Sequence, residues 1–245
     1  MGSRVFRLRM NVKSMACTNN GQRLVDLEVD LATREVLRMM GGAHRRPIES
    51  DVLSLVSRLM SEAAPCVQAR GVYLIREVES MTDRELTLRG CPPFLGPIAK
   101  FLRPAQRVAV YVVTIGDAIE RRASQWASEG HSVESYTLHA IGSAAADAAV
   151  DALVEHLWTH EAGPGEGVTL PFSPGYCGMP LEQQQTLFEI IEPAAIGVTL
   201  LPSMLMVPLK SVSGLAGIGN AKEIEIHGVP CEYCDLERCS MRRED

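Results

Sequence analysis

The chain reads as an α+β protein built on an antiparallel sheet with flanking helices. Three observations predict this. Strand-like and helix-like segments are both present, yet they do not alternate regularly as a doubly wound parallel fold requires. Residues 107–115 form a nearly continuous β-branched run, the mark of a strand buried on both faces. Residues 133 to about 160 form a long alanine-rich helix whose small side chains let another backbone approach closely.

The elements follow in order. Val25, Leu27, Val29 and Leu31 alternate with Asp26, Glu28 and Asp30, which predicts a half-buried strand. Gly41-Gly42 breaks the chain. Ser50 or Asp51 can cap a helix whose apolar face is Val52, Leu55, Val56, Leu59 and Met60. Residues 71–78 and 85–88 read as strands and 94–102 as a short helix. Gly116-Asp117 ends the buried strand and starts another helix. In the long helix, Gly142, Ser143, Ala144, Ala145, Ala146, Ala148 and Ala149 leave little side chain. Ile141, Ala145, Ala148, Ala152 and Glu155 fall on one stripe, so Glu155 is a carboxylate at the end of a small apolar face. Such an acid either meets a partner or ligand, or marks where the stripe reaches solvent. Residues 161–169 form a polar, glycine-rich connection, and 181–191 an amphipathic helix using Leu181, Leu187, Phe188 and Ile191. Residues 196–201 and 205–207 read as strands, and 222–227 as the last one.

Composition narrows the function classes. A chain of 245 residues can bury a substantial core, and 46% apolar with 22% charged residues is ordinary for a globular protein. The net charge of -6 and the 5% aromatic content argue against a nucleic-acid partner. No apolar run has the length to span a bilayer, and residues 1–13 lack a signal-peptide core, so a cytoplasmic protein is expected. In that reducing compartment seven cysteines point to metal or redox chemistry rather than disulfides.

Three of the cysteines crowd the end as Cys231-x2-Cys234-x4-Cys239, setting off a cysteine-rich tail, 231–245, from a body spanning 1–230. Thiolates at this spacing can converge on one ion, and zinc or an iron–sulfur cluster would each want a fourth ligand. Cys177, Cys91 and His227 are candidates, as is a partner or substrate. Other motifs are weaker. Gly217-Ile218-Gly219 lacks the rest of a dinucleotide fingerprint, His156 and His160 have no third ligand following, and Ser173 and Ser203 have no visible base.

Residues 171–180, Pro-Phe-Ser-Pro-Gly-Tyr-Cys-Gly-Met-Pro, pack prolines and glycines around Tyr176 and fix where its hydroxyl stands. A loop so constrained reads as a binding loop. It joins a wider pattern of Thr114-Ile115-Gly116, the small-residue helix from Ile141-Gly142-Ser143 to Glu155, and Ile196-Gly197-Val198-Thr199 through Ser211-Val212-Ser213. In that order, over roughly 105–215, these residues resemble the activation domain of vitamin B12-dependent methionine synthase. The first hundred residues match only loosely.

The resemblance implies a helmet-shaped α+β fold around a bent antiparallel sheet. It implies binding of S-adenosylmethionine and a position over cobalamin whose cobalt has been oxidised. In the family an electron from flavodoxin reduces cob(II)alamin, and the methyl donor traps cob(I)alamin as methylcobalamin. Glu155 then matches a glutamate near the methyl donor, and Gly175 and Tyr176 match the loop's glycine and tyrosine, with Tyr176 hydrogen-bonding the ligand. The family's loop begins with an arginine where this chain has Pro171, so a ligand carboxylate would need a cation from elsewhere, such as Lys210. The family's aspartate–tryptophan–threonine segment and its later tyrosine pair have no clear counterpart. Nor is there an Asp-x-His-x-x-Gly corrinoid motif, so the cobalamin is expected on a partner, a corrinoid-binding methionine synthase or related methyltransferase protein. A metal cluster in the tail would deliver the electron that flavodoxin supplies elsewhere.

Overall fold

The computed structural model describes residues 5–7, 16–17, 21–41, 48–225, 227–234, 236, 239, 242 and 243. The strands are β1 (Val5–Arg7), β2 (Ala16–Cys17), β3 (Arg23–Asp26), β4 (Asp30–Ala32), β5 (Arg70–Met81), β6 (Glu85–Leu88), β7 (Phe94–Leu95), β8 (Ala105–Thr114), β9 (Glu166–Val168), β10 (Thr199–Leu200), β11 (Met206–Val207) and β12 (Ser211–Asn220). The helices are α1 (Thr33–Met39), α2 (Ser50–Ala63), α3 (Ala118–Ser128), α4 (Ser132–His160) and α5 (Gln183–Ile190), with short 3-10 turns between them.

The main sheet runs β2-β3-β5-β8-β12-β9, with β6 and β7 extending from the end of β5. Every pairing in it is antiparallel, so the predicted α+β class with an open antiparallel sheet and flanking helices is the observed one. The sheet separates two cores. On one face Tyr73, Ala109, Tyr111, Val113, Ala216 and Ile218 meet α1 to α4. On the other Val72, Leu74, Val108, Val110, Val112 and Leu215 meet Phe94, Ile98, Phe172 and Leu187. Each residue of β8 from Val108 to Val113 is fully buried, which is what its unbroken apolar run requires.

Several elements differ from the sequence pattern. Burial alternates without a fault from Val25 to Leu31, but the strand breaks into β3 and β4 because its halves pair with different neighbours, β5 and β1. Residues 94–102 form β7 and a 3-10 turn, Pro97–Leu102, since Gly96 takes φ 117 and Pro97 resets the chain. The expected last strand, 222–227, gives way to the 3-10 turn Ala221–Glu223 capped by the Asn220 side chain; Ile226 lies outside the described residues.

The largest difference is β12. Its sequence, Ser-Val-Ser-Gly-Leu-Ala-Gly-Ile-Gly-Asn, has little strand propensity, yet it lies in the interior of the sheet between β8 and β9. Its glycines make room. A Cβ at Gly217 would stand 2.7 Å from the Ala105 Cβ, and one at Gly219 2.6 Å from the Pro104 carbonyl oxygen. Gly217-Ile218-Gly219 is therefore a close-packed strand rather than a nucleotide loop. No helix among the described residues is long and apolar enough to cross a membrane.

Candidate functional site

The site is built around α4. Its alanines Ala144, Ala145 and Ala149 are buried, and Gly142 lets the Lys210 stem pass where a Cβ would come within 3.2 Å. Running along the same helix at four-residue intervals are His139, Ser143, Asp147, Asp151 and Glu155, and three of them have cationic partners. The Lys210 ammonium donates to Ser143 Oγ at 2.9 Å. The buried Arg38 guanidinium donates to Asp147 at 3.0 Å and to Glu35 at 2.9 Å. Arg243 grips both oxygens of Asp151, at 2.7 and 3.1 Å. Desolvation pushes the Asp147 carboxyl above its usual range, although Arg38 pulls the other way. Burial holds Lys210 below the ordinary lysine value, with Glu120 opposing.

The loop after β9 continues the sheet edge. Phe172 exchanges both backbone hydrogen bonds with Leu215, at 2.9 and 2.8 Å. Beyond it the chain folds into tight turns, with Tyr176 N–H donating to the Ser173 carbonyl at 3.1 Å and Gly175 N–H to the Met179 carbonyl at 2.9 Å. Gly175, Cys177 and Gly178 all take positive φ, which gives the turns their shape. Tyr176 is 61% exposed as a residue. Its hydroxyl is nonetheless held above the usual phenol value, first by loss of solvent and then by Asp147 and the thiols of Cys231, Cys239 and Cys234. Beneath lies Tyr111 of β8, wholly buried, whose hydroxyl makes no hydrogen bond of normal geometry; Ser173, Asp151 and Asp147 are its polar surroundings.

The chain's end lies against this region. The 3-10 turn Pro230–Tyr233 sits beside the loop, with Cys177 Sγ donating to the Pro230 carbonyl at 3.7 Å. Tyr233 donates to the His227 carbonyl at 2.9 Å and packs its ring on Phe101. Arg242 donates to the carbonyls of Cys231 and Leu236.

The structure thus gathers some expected residues and separates others. Gly175 and Tyr176 lie in the turn-rich loop as read, but the carboxylate that acts on the Tyr176 hydroxyl is Asp147, about two turns before Glu155 on α4. Glu155 itself is exposed, at the point where the helix stripe has reached solvent. Pro171 is half-buried at the sheet edge. Lys210 serves Ser143, while Arg38 and Arg243 serve Asp147 and Asp151. Asp147 and Asp151 could have been noticed at the i, i+4 spacing that ends on Glu155; their arginine partners lie more than ninety residues away and leave no sequence signal.

The cofactor expectation is corrected. Among the described residues no group of three or more His, Cys, Asp or Glu side chains is arranged to hold a metal, so Cys231, Cys234 and Cys239 do not form the zinc or iron–sulfur site read from their spacing. Two of the three proposed fourth ligands in the chain are engaged elsewhere: Cys91 donates to the Arg89 carbonyl and Cys177 to that of Pro230. Nor does the geometry bring out S-adenosylmethionine or cobalamin contacts: Asp147 and Asp151 of α4 are already paired with arginines, and Glu155 stands exposed. His156 and His160 stack on each other, with His156 against the Tyr73 hydroxyl, rather than converging on an ion. A cavity of about 490 Å³ between α2 and α3, lined by Cys66, Arg122 and Trp126 among others, contains none of the expected site residues.

Comparison with known proteins bears on the matched fold. The model of the family described as vitamin B12 dependent methionine synthase, activation domain, matches residues 97–226. Among solved structures, the crystal structure of the MetH reactivation domain bound to AdoHcy superposes with a TM-score of 0.61 at 16% identity, covering 91% of this chain and 82% of that one. No curated protein matches. The segment matched by the family holds β8, α4, the Tyr176 loop and β12, and the chain belongs to the vitamin B12-dependent methionine synthase activation domain family.

Proposed function

We propose that the chain is an accessory module in the reductive reactivation of a corrinoid carried by a separate protein of the cobalamin-dependent methionine synthase or related methyltransferase type. The observation that carries this is an apolar hairpin within the segment the family matches. β10 and β11 pair Thr199 with Val207 and Leu200 with Met206. Around them Leu201, Leu205, Val207 and Leu209 are 40, 48, 43 and 43% exposed. Contiguous apolar surface of this kind marks a docking face, and the flat, largely apolar upper face of a corrin ring suits it. The module would cap the ring while a separate donor supplies the electron.

A second reading is a corrinoid-protein binding module without a chemical step of its own and without the methyl-donor contact. It is favoured by Pro171, which carries neither charge nor donor.

The test uses the full chain and a corrinoid domain of a cobalamin-dependent methionine synthase loaded with cob(II)alamin. Binding in the micromolar range, lost in the Leu201→Asp/Leu205→Asp variant, supports docking; no association below about 1 mM sinks it. If binding also accelerates reduction by an added low-potential donor, the reactivation reading holds. Binding without acceleration favours the second.

A further inference from the structure

The tail thiols form a grouping that a metal does not explain. Cys234 N–H donates to the Cys231 carbonyl at 3.4 Å, closing the four-residue turn on which both cysteines stand. The ends of such a turn lie within about 7 Å, and a disulfide spans Cα separations of roughly 4.4–6.8 Å. Pro230 restricts the entry to the turn. Tyr233 anchors it through the His227 carbonyl and the Phe101 ring, and Arg242 through the Cys231 carbonyl. Both cysteines are half-buried, unlike Cys177, which is 7% exposed. They are rigidly placed and reachable, and both are free thiols.

We propose that Cys231 and Cys234 are a redox-active dithiol whose reaction partner is a low-molecular-weight aliphatic disulfide. One thiolate attacks a sulfur of the incoming disulfide, giving a mixed disulfide and releasing one thiolate. The second cysteine attacks the protein sulfur of that bond, closing the Cys231–Cys234 disulfide and releasing the other thiolate. The two protons lost by the cysteines pass to the two released thiols, and the two electrons from the cysteines reduce the incoming disulfide. Cys239, five residues after Cys234, is a further free thiol available for exchange. The turn sits on the Tyr176 loop through the Cys177–Pro230 contact, which places the dithiol beside that loop. This chemistry stands apart from the corrinoid reading and is tested without a corrinoid.

The reduced full chain is incubated with oxidised glutathione, alkylated and digested with trypsin. Cleavage after Lys222 and Arg238 leaves Cys231 and Cys234 in one peptide and Cys239 in the next. The expected product is the first peptide lacking two hydrogens and carrying no alkyl group, with Cys66 and Cys91 alkylated. Cys231→Ser should instead yield a glutathione adduct on Cys234 or a link to Cys239. A wild-type peptide with both cysteines alkylated after excess oxidant overturns the proposal. So do thiols that stay silent until a chelator is added.

Discussion

Gly214 of β12 lies directly opposite Tyr111 of β8, and a Cβ at position 214 would stand 2.5 Å from the tyrosine hydroxyl. The tyrosine lies across its neighbour strand toward Ser173 and the Asp147–Asp151 face of α4 because that neighbour has no side chain. Gly214→Ala should therefore destabilise the protein by about 1–3 kcal/mol, the usual cost of overpacking. Urea unfolding checks this. Tyr111→Phe in the same background should recover part of the loss and not all, since the Phe172 carbonyl oxygen also lies 2.6 Å from the added carbon.

Tyr111→Phe alone tests the unpartnered hydroxyl. Ser173 approaches this hydroxyl without the geometry of a normal hydrogen bond, so removing the buried polar group relieves a desolvation cost, and stability should be unchanged or higher by up to about 1 kcal/mol. A loss larger than that would show the hydroxyl holding something in place.

Stability should fall on mild acidification. His156 is held below the ordinary imidazole value of 6.5, by burial first and then by His160 and Arg23, with Glu161 opposing. His139 is lowered by burial and Lys210, with Glu120 opposing. A depressed imidazole binds its proton more weakly when folded, so the unfolded chain takes up more protons as pH falls below 6.5. Stability is full above that value and is lost toward the folded pKa. Asp147, raised above 3.8, acts in the opposite sense at lower pH, where its protonation favours the folded chain. Urea midpoints at about pH 7.5 and 5.5 should show the drop, and His156→Gln should flatten it.

The Arg243–Asp151 pair fastens the tail near α4, with side chains 31% and 48% exposed. Its contribution should be modest, below about 1 kcal/mol, and screened by salt. Arg243→Ala should speed amide exchange in the tail turn, with Arg243→Lys intermediate because it loses the two-pronged grip. No change in exchange at low salt would mean the pair does not hold the tail.

Much of the fold was legible in local pattern. Burial on both faces of β8, alternation from Val25 to Leu31 and the small-residue character of α4 each follow from side chains a few residues apart. β12 was not legible, because its glycines and serines suit a loop until Tyr111, Ala105 and Pro104 are seen pressing against them. The Tyr176 loop was readable from its prolines and glycines, whereas its neighbours were not. Asp147 is reached through the crossing of α4, and the tail cysteines through the return of the chain end.

By itself the sequence determined the fold class, the family and the constrained loop, since periodicity, glycine and proline act on the chain locally. Only the tertiary structure decided that Asp147 and three tail thiols act on Tyr176, that Arg38 and Arg243 pair with Asp147 and Asp151 of α4, and that Cys231 and Cys234 share a turn. Those relationships join segments distant along the chain, and packing sets them through contacts that no local pattern encodes.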